Sequence, residues 1–260
     1  MWRERALTPD VRPGRTQPRQ AAIADAGIKA EDIDLVIVAT SSPDDMFGDA
    51  PSVASGVGAS KNAFAFDLTA ACSGFLFATV TASQFLNNGG HKVALVVGAD
   101  ALTRWVDWTD RNTCVLFGDG AGAMVLTRAA SKDEGGILGF EMHSNGDGYC
   151  NLQLPYEQKD KAVGPDHHVI EGGYRPIGMN GKEVYKFATR EVPEVIEEAL
   201  ANAGLTAADV DHLLLHQVSP RACECLRTKH TNADPCGHTG THKHVRMNTQ
   251  SHAHAQVAGR

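Results

Sequence analysis

The chain has 260 residues, 42% of them hydrophobic, and a formal net charge of −7 at pH 7, which is apolar content for one large domain or two closely packed ones. No basic stripe interleaved with aromatics occurs before residue 221, so nucleic acid is excluded as the expected partner in favour of small molecules or small proteins. Six cysteines without a regular framework indicate reduced thiols, no apolar run approaches the ~18 residues of a membrane span, and the Arg- and Pro-rich start has no secretory h-region; a soluble protein is expected.

In chain order, residues 20–28 are predicted as a helix closed by Gly27, and DIDLVIVAT (32–40) as a buried strand. KNAFAFDLT (61–69) gives a second strand, and residues 72–88 a helix closed by Gly89 and Gly90. HKVALVVGAD (91–100) is a third strand and GAGAMVLTR (120–128) a fourth. Alternation of helix and strand predicts an α/β class with a mainly parallel sheet buried on both faces.

The segment AIADAGIKAEDIDLVIVAT from Ala22 aligns without gaps onto ALANAGLTAADVDHLLLHQ from Ala199, with seven of nineteen positions identical. Gly27 matches Gly204 and Asp32 matches Asp209, so one helix-turn-strand unit is read as used twice. His216 then stands at the carboxyl end of a strand equivalent to the one ending near Thr40, where open α/β sheets collect ligands.

Cys72 sits in TAACSGFLFA (69–78), at a strand-to-helix junction. A cysteine in the first turn of a helix meets unpaired N–H groups and the positive end of the macrodipole, both of which favour thiolate. Ala70, Ala71, Ser73 and Gly74 around it let a carbonyl approach and leave N–H groups for an oxyanion. His216 directly follows an apolar strand, where an imidazole is either hydrogen-bonded or functional. The G-x-G spacing of FGDGAGA (117–123) leads into a strand pattern rather than a helix, so it reads as a close-packing segment and not a dinucleotide loop.

DLTAACSGFLFA, ALVVGADALTRWVDWTDR, CVLFGDGAGAMVL, MNGKEVYKFA and LLLHQ, in that order, together resemble β-ketoacyl-[acyl-carrier-protein] synthase III, the initiating condensing enzyme of type II fatty acid synthesis. RWVDWTDRNTC is most similar to the plastid and cyanobacterial branch. The resemblance spans roughly residues 22–221 and implies a thiolase-like αβαβα sandwich of two duplicated halves, the second incomplete: residues 1–130 carry the nucleophile, 131–221 the histidine, and 222–260 form a divergent, disordered tail. It further implies Cys72 as the acylated nucleophile and His216 as the histidine assisting malonyl decarboxylation. Arg111 would bind coenzyme A, Arg221 would dock the carrier protein, and Phe47 would enter the partner subunit's acyl pocket in a homodimer.

Acetyl-CoA and malonyl-ACP (acyl carrier protein) are the implied substrates, with no metal, no redox cofactor and no membrane involved. The implied compartment is the plastid stroma for a photosynthetic eukaryote and otherwise the cytoplasm. Several features depart from the family pattern. Val218, Ser219 and Pro220 replace the usual residues before Arg221, and no GNTSAAS-type segment or C-terminal glycine-rich turn follows. Loss of that asparagine is expected to spare acyl transfer more than decarboxylative condensation. The tail holds Cys223, Cys225, Cys236 and His238, whose spacing fits no standard zinc site. The alternative function is a catalytically impaired or inactive fragment keeping only a dimer or carrier-protein surface.

Overall fold

The computed structural model describes residues 18–129 and 135–216, together with the backbone of Gln256–Val257. Its centre is β1 (Leu35–Ala39), five apolar residues that are all buried. β1 runs parallel to β2 (Phe64–Leu68) on one side and to β3 (Val93–Ala101) on the other, and β4 (Asp119–Thr127) pairs antiparallel with β3. The order is therefore β2-β1-β3-β4. A strand paired on both edges and covered on both faces has no place for a polar side chain, which is why β1 reads as an unbroken LVIVA.

Alternation splits that strand between two cores. Val36 and Val38 pack with Ile33, Val53, Leu95 and Val97, the side covered by α1 (Pro18–Asp25) and α2 (Ala50–Val57). Leu35 and Ile37 pack with Ala78, Ala82, Leu86 and Val96, the side covered by α3 (Gly74–Asn87). A Cβ on Gly98 would lie 2.9 Å from the ring of Phe75 and one on Gly74 3.3 Å from Ala39 Cβ, so the first turn of α3 approaches the sheet at a distance that side chains would prevent.

The sheet is parallel over its first three strands, as expected, and antiparallel at β4. The connection between β3 and β4 contains a 3-10 turn (Leu102–Trp105) and further turns in place of a crossover helix, and parallel pairing ordinarily needs such a crossover.

Further along, β5 (Leu152–Gln153) pairs with β8 (Gly178–Met179), and β6 (Tyr156–Gly164) forms an antiparallel hairpin with β7 (His167–Tyr174). α4 (Gly181–Asn202) leads through a 3-10 turn (Ala207–Asp209) to β9 (Leu213–Leu214), which pairs with β10 (Gln256–Val257). Ile196, Leu200 and Leu215 form a separate small core with Leu205, Val210 and Leu213 packed on it.

The sequence repeat is a structural repeat. Gly27 and Gly204 close the two helices at φ 64° and 68°. Each is followed by a 3-10 turn, Ala30–Asp32 and Ala207–Asp209, with a capping box that brings Lys29 N 3.3 Å from Asp32 Oδ2 and Thr206 N 2.9 Å from Asp209 Oδ2. Each turn then enters a strand, β1 or β9.

Candidate active site

Three strand ends meet at the carboxyl edge of the sheet. Thr40, just past β1, donates its N–H to Leu68 O at the end of β2 (3.0 Å). In return Thr69 Oγ1 donates to Thr40 O (2.8 Å). This pair pins the start of the turn that carries Cys72. The turn is tight: Ala71 has φ 45°, the one positive value at a non-glycine among the described residues, and a β-carbon there costs roughly 1–2 kcal/mol. Such strain at a strand-to-helix junction is what presents a short side chain at the top of a sheet.

Cys72 lies in the 3-10 turn Ala71–Ser73, immediately before α3, and is exposed. Its ionisation departs from the sequence expectation. Burial of its surroundings raises the thiol pKa, the carboxylate of Asp100 adds to the rise, and a hydrogen bond from its own backbone opposes it. The structure sets Cys72 at the junction that the sequence indicates, but burial first and the acidic neighbour on β3 second raise the thiol instead of lowering it.

Asp100 is the part of the site that sequence reading missed. Its Oδ1 accepts from Ser41 N (2.8 Å), Ser42 Oγ (2.8 Å) and Thr40 Oγ1 (3.4 Å). Ser42 Oγ in turn accepts from Ala101 N (2.7 Å), so one serine hydroxyl stitches the ends of β1 and β3 together. Burial raises the Asp100 pKa against the lowering effect of these donors and of the Arg104 charge. Arg104 reaches from the following turn to Asp44 Oδ1 (3.0 Å) and to Ser42 O, with its guanidinium 4.9 Å from the Trp105 ring centroid. Ser41 Oγ is buried with no hydrogen-bond partner among the described residues. An acidic residue at the end of an apolar strand, in VVGAD, was the signal available in the sequence.

Phe47 is fully exposed (100%) and Met46 nearly so (79%), on a loop that is otherwise tied down. Asp67 on β2 accepts from Asp49 N (2.8 Å) and Ala50 N (2.6 Å), Asp44 N donates to Asp49 Oδ2 (2.8 Å), and Phe47 N to Asp45 Oδ1 (2.9 Å). Two apolar side chains are thus held out to solvent on a fixed loop.

Arg111 is exposed in the turns between β3 and β4. Asp110 orders that segment, accepting at Oδ1 from Asn112 N (3.0 Å) and at Oδ2 from Thr113 Oγ1 (2.8 Å). His216 lies just past β9, after the buried Leu215, and is half-buried. Arg221 and the four tail residues considered for zinc lie outside the described residues. Elsewhere His143 Nε2 lies 3.2 Å from both Glu141 Oε1 and Glu198 Oε2 in a largely exposed cluster.

With this geometry in hand, residues 66–146 match the family described as 3-oxoacyl-[acyl-carrier-protein (ACP)] synthase III. The chain is 52% identical over 205 residues to the β-ketoacyl-[acyl-carrier-protein] synthase III of Microcystis aeruginosa, covering 79% of this chain and 61% of that protein. Its match to the protein of the same name from Thermosynechococcus vestitus is 49% identical over 227 residues and covers 84% and 68%. Among solved structures, the 3-oxoacyl-[acyl-carrier-protein] synthase III of Aquifex aeolicus superposes with a TM-score of 0.70 at 36% identity, over 81% of this chain and 62% of that one. The Pseudomonas aeruginosa structure gives 0.70 at 32%, over 84% and 65%. The chain spans 61% of the length of the first of these curated relatives.

Proposed function

Because the chain belongs to the β-ketoacyl-[acyl-carrier-protein] synthase III family, with the thiolase-like α/β fold of its relatives, we propose that it transfers the acetyl group of acetyl-CoA to Cys72 and condenses it with malonyl-ACP, the step that initiates fatty acid synthesis. The observation that carries this reading is the exposed Cys72 thiol on the strained turn at Ala71, between β2 and α3.

In the first half-reaction the Cys72 sulfur attacks the acetyl carbonyl, its proton passing to the departing coenzyme A thiol. The C–S bond to coenzyme A breaks as the bond to Cys72 forms. Backbone N–H groups of the 71–74 turn are the donors at hand for the tetrahedral oxyanion. In the second, the malonyl thioester loses carbon dioxide and its enolate carbon attacks the acetyl-Cys72 carbonyl, giving acetoacetyl-ACP and returning the thiolate. His216 would donate a hydrogen bond to the enolate oxygen. Arg111 would pair with coenzyme A, Arg221 with the acidic carrier protein, and Phe47 would enter the acyl pocket of a second copy in a homodimer. The exposure of Arg111 and of Phe47 supports their parts. Residues 1–130 and 131–221 would be the two halves and 222–260 a tail. Among the described residues no helix is long and apolar enough to cross a membrane, and the cyanobacterial relatives support a plastid stroma or bacterial cytoplasm as the compartment.

Incubation with radiolabelled acetyl-CoA tests the proposal. Protein-bound label that disappears in Cys72→Ala supports it, and a folded sample that takes up no label rejects it in favour of a noncatalytic fragment. Because burial and Asp100 raise the thiol pKa, the labelling rate should climb with pH through the ordinary thiol range near ~8.5 rather than level off below it.

A further inference from the structure

Asp100, on β3, is tied through the end of β1 to the turn that carries Cys72. Its carboxylate takes three hydrogen bonds from consecutive residues, Thr40, Ser41 and Ser42. Thr40 is bound in turn to the start of the Cys72 turn through Thr69 Oγ1 (2.8 Å). A path of two hydrogen bonds therefore runs from the Asp100 carboxylate to the residue three before Cys72. Three donors are more than a carboxylate needs to hold two strand ends together, and a neutral side chain such as Asn offers the same acceptor. The charge itself calls for a reason, because burying it is costly.

We infer that Asp100, counterbalanced by Arg104, is a positioning residue that locks the ends of β1 and β3 behind the Cys72 turn and through its charge governs how readily the Cys72 thiol reacts.

Among the described residues, the charged groups that bear on Asp100 and Cys72 can be named element by element. From its own side of the sheet comes Arg104, which is shared with Asp44. From the turn after β2 comes Cys72, on which Asp100 acts as a like charge. From the end of β1 come only the neutral donors Thr40, Ser41 and Ser42. Asp119, on β4, is engaged by Thr103 N (2.9 Å) and Thr103 Oγ1 (2.8 Å). With Asp100 ionised, a second negative charge at Cys72 is opposed, which adds to the larger effect of burial in raising the thiol pKa. Arg104 limits that opposition, so the pair is a setting with two handles of opposite sign.

The inference rests on Cys72 being the reactive thiol, but its test needs no turnover. In the full chain, the rate of carbamidomethylation of Cys72 by iodoacetamide is followed across pH by mass spectrometry of the Cys72 peptide. The native chain is compared with Asp100→Asn and Arg104→Gln, with the urea-unfolded chain as reference. Asp100→Asn keeps the acceptor oxygen and removes the charge, so the midpoint should fall and the rate at pH 7 rise about three- to tenfold, a tenfold change corresponding to one pH unit in the midpoint. Arg104→Gln removes the counter-charge, so its midpoint should rise and the rate fall. If Asp100→Asn leaves the midpoint unchanged or raises it, the inference is wrong. If both variants move the midpoint toward that of the unfolded chain, the residues serve only to hold the fold, and the charge role is lost. Absence of acetyl labelling with these opposed shifts intact would reject the proposed activity and leave this inference standing.

Discussion

The helix-turn-strand unit around Gly27 and its copy around Gly204 share their local conformation and differ in almost everything that surrounds it. Ile23, Ile28, Ile33, Val36 and Val38 of the first unit belong to a core roofed by α1 and α2. Their counterparts in the second, Leu200, Leu205, Val210, Leu213 and Leu215, gather in a small cluster with Ile196 and Val192. β1 has a paired strand on each edge and is buried along its whole length, whereas β9 pairs on one side with two residues and is half-exposed. Short-range sequence therefore sets the turn in both places, and neighbouring strands decide how much each unit contributes to stability. A repeat of local geometry is not a repeat of energy.

The largest effect that would sharpen this contrast comes from matched core truncations. Ile37→Ala empties a site with no exposure and should cost ~2–5 kcal/mol. Its counterpart Leu214, 43% exposed, should cost about 1 kcal/mol or less on truncation to Ala. Urea unfolding of both variants measures the gap; equal losses would mean that the second unit is as well buried in solution as the first.

A smaller effect should be the same in both units. Gly27 and Gly204 adopt left-handed φ values with nothing within 4 Å of a built Cβ, so replacing either by Ala meets no steric obstacle, only the backbone preference of an L-residue. Each substitution should cost about 1 kcal/mol. Unequal costs, read from the same unfolding curves, would break the claim that the turns are energetically equivalent. Amide exchange in residues 25–34 and 202–211 would show whether each loss stays local.

The smallest effect is one of pH. Hydrogen bonds from Thr206 N and then Thr206 Oγ1 hold the exposed Asp209 carboxylate below its ordinary pKa. A carboxylate with a depressed folded value adds stability that is present above the unfolded value of ~3.9 and is lost as pH falls through the folded one. The second unit's capping box should thus loosen only at strongly acidic pH, and NMR titration should place the Asp209 midpoint below ~3.9. A midpoint at or above that value, or one unmoved by Thr206→Ala, would remove the box as a source of the shift.

Much of the fold was legible because burial imposes periodicity. LVIVA and VALVVGADA announce central strands, and glycines mark both unit turns. α2 was not legible: APSVASGV is made of small residues with a proline in its first turn, and the donors at its start are met by Asp67, far along the chain. The β6–β7 hairpin escaped for the opposite reason, since nearly every residue of it is exposed and no apolar alternation is required. At the site, Cys72 was singled out by its small neighbours and its junction, and the structure puts it in the turn at that junction. Asp100 was not, because what makes it important is its contact with Thr40, Ser41 and Ser42, some 60 residues earlier.

The carboxylate of Asp67 has a bearing on the order in which the chain acquires its shape. α2 has no side-chain cap of its own at Asp49, and a helix of eight residues does not persist alone in water. Its first amides are satisfied only when β2 has docked beside β1 and brought Asp67 to Asp49 and Ala50. The helix and the loop holding Phe47 should therefore mature after the parallel pair, on the native side of the transition state. A nascent chain would thus fix the direction of Phe47, the most exposed aromatic among the described residues, only once the strands that anchor its loop are in register.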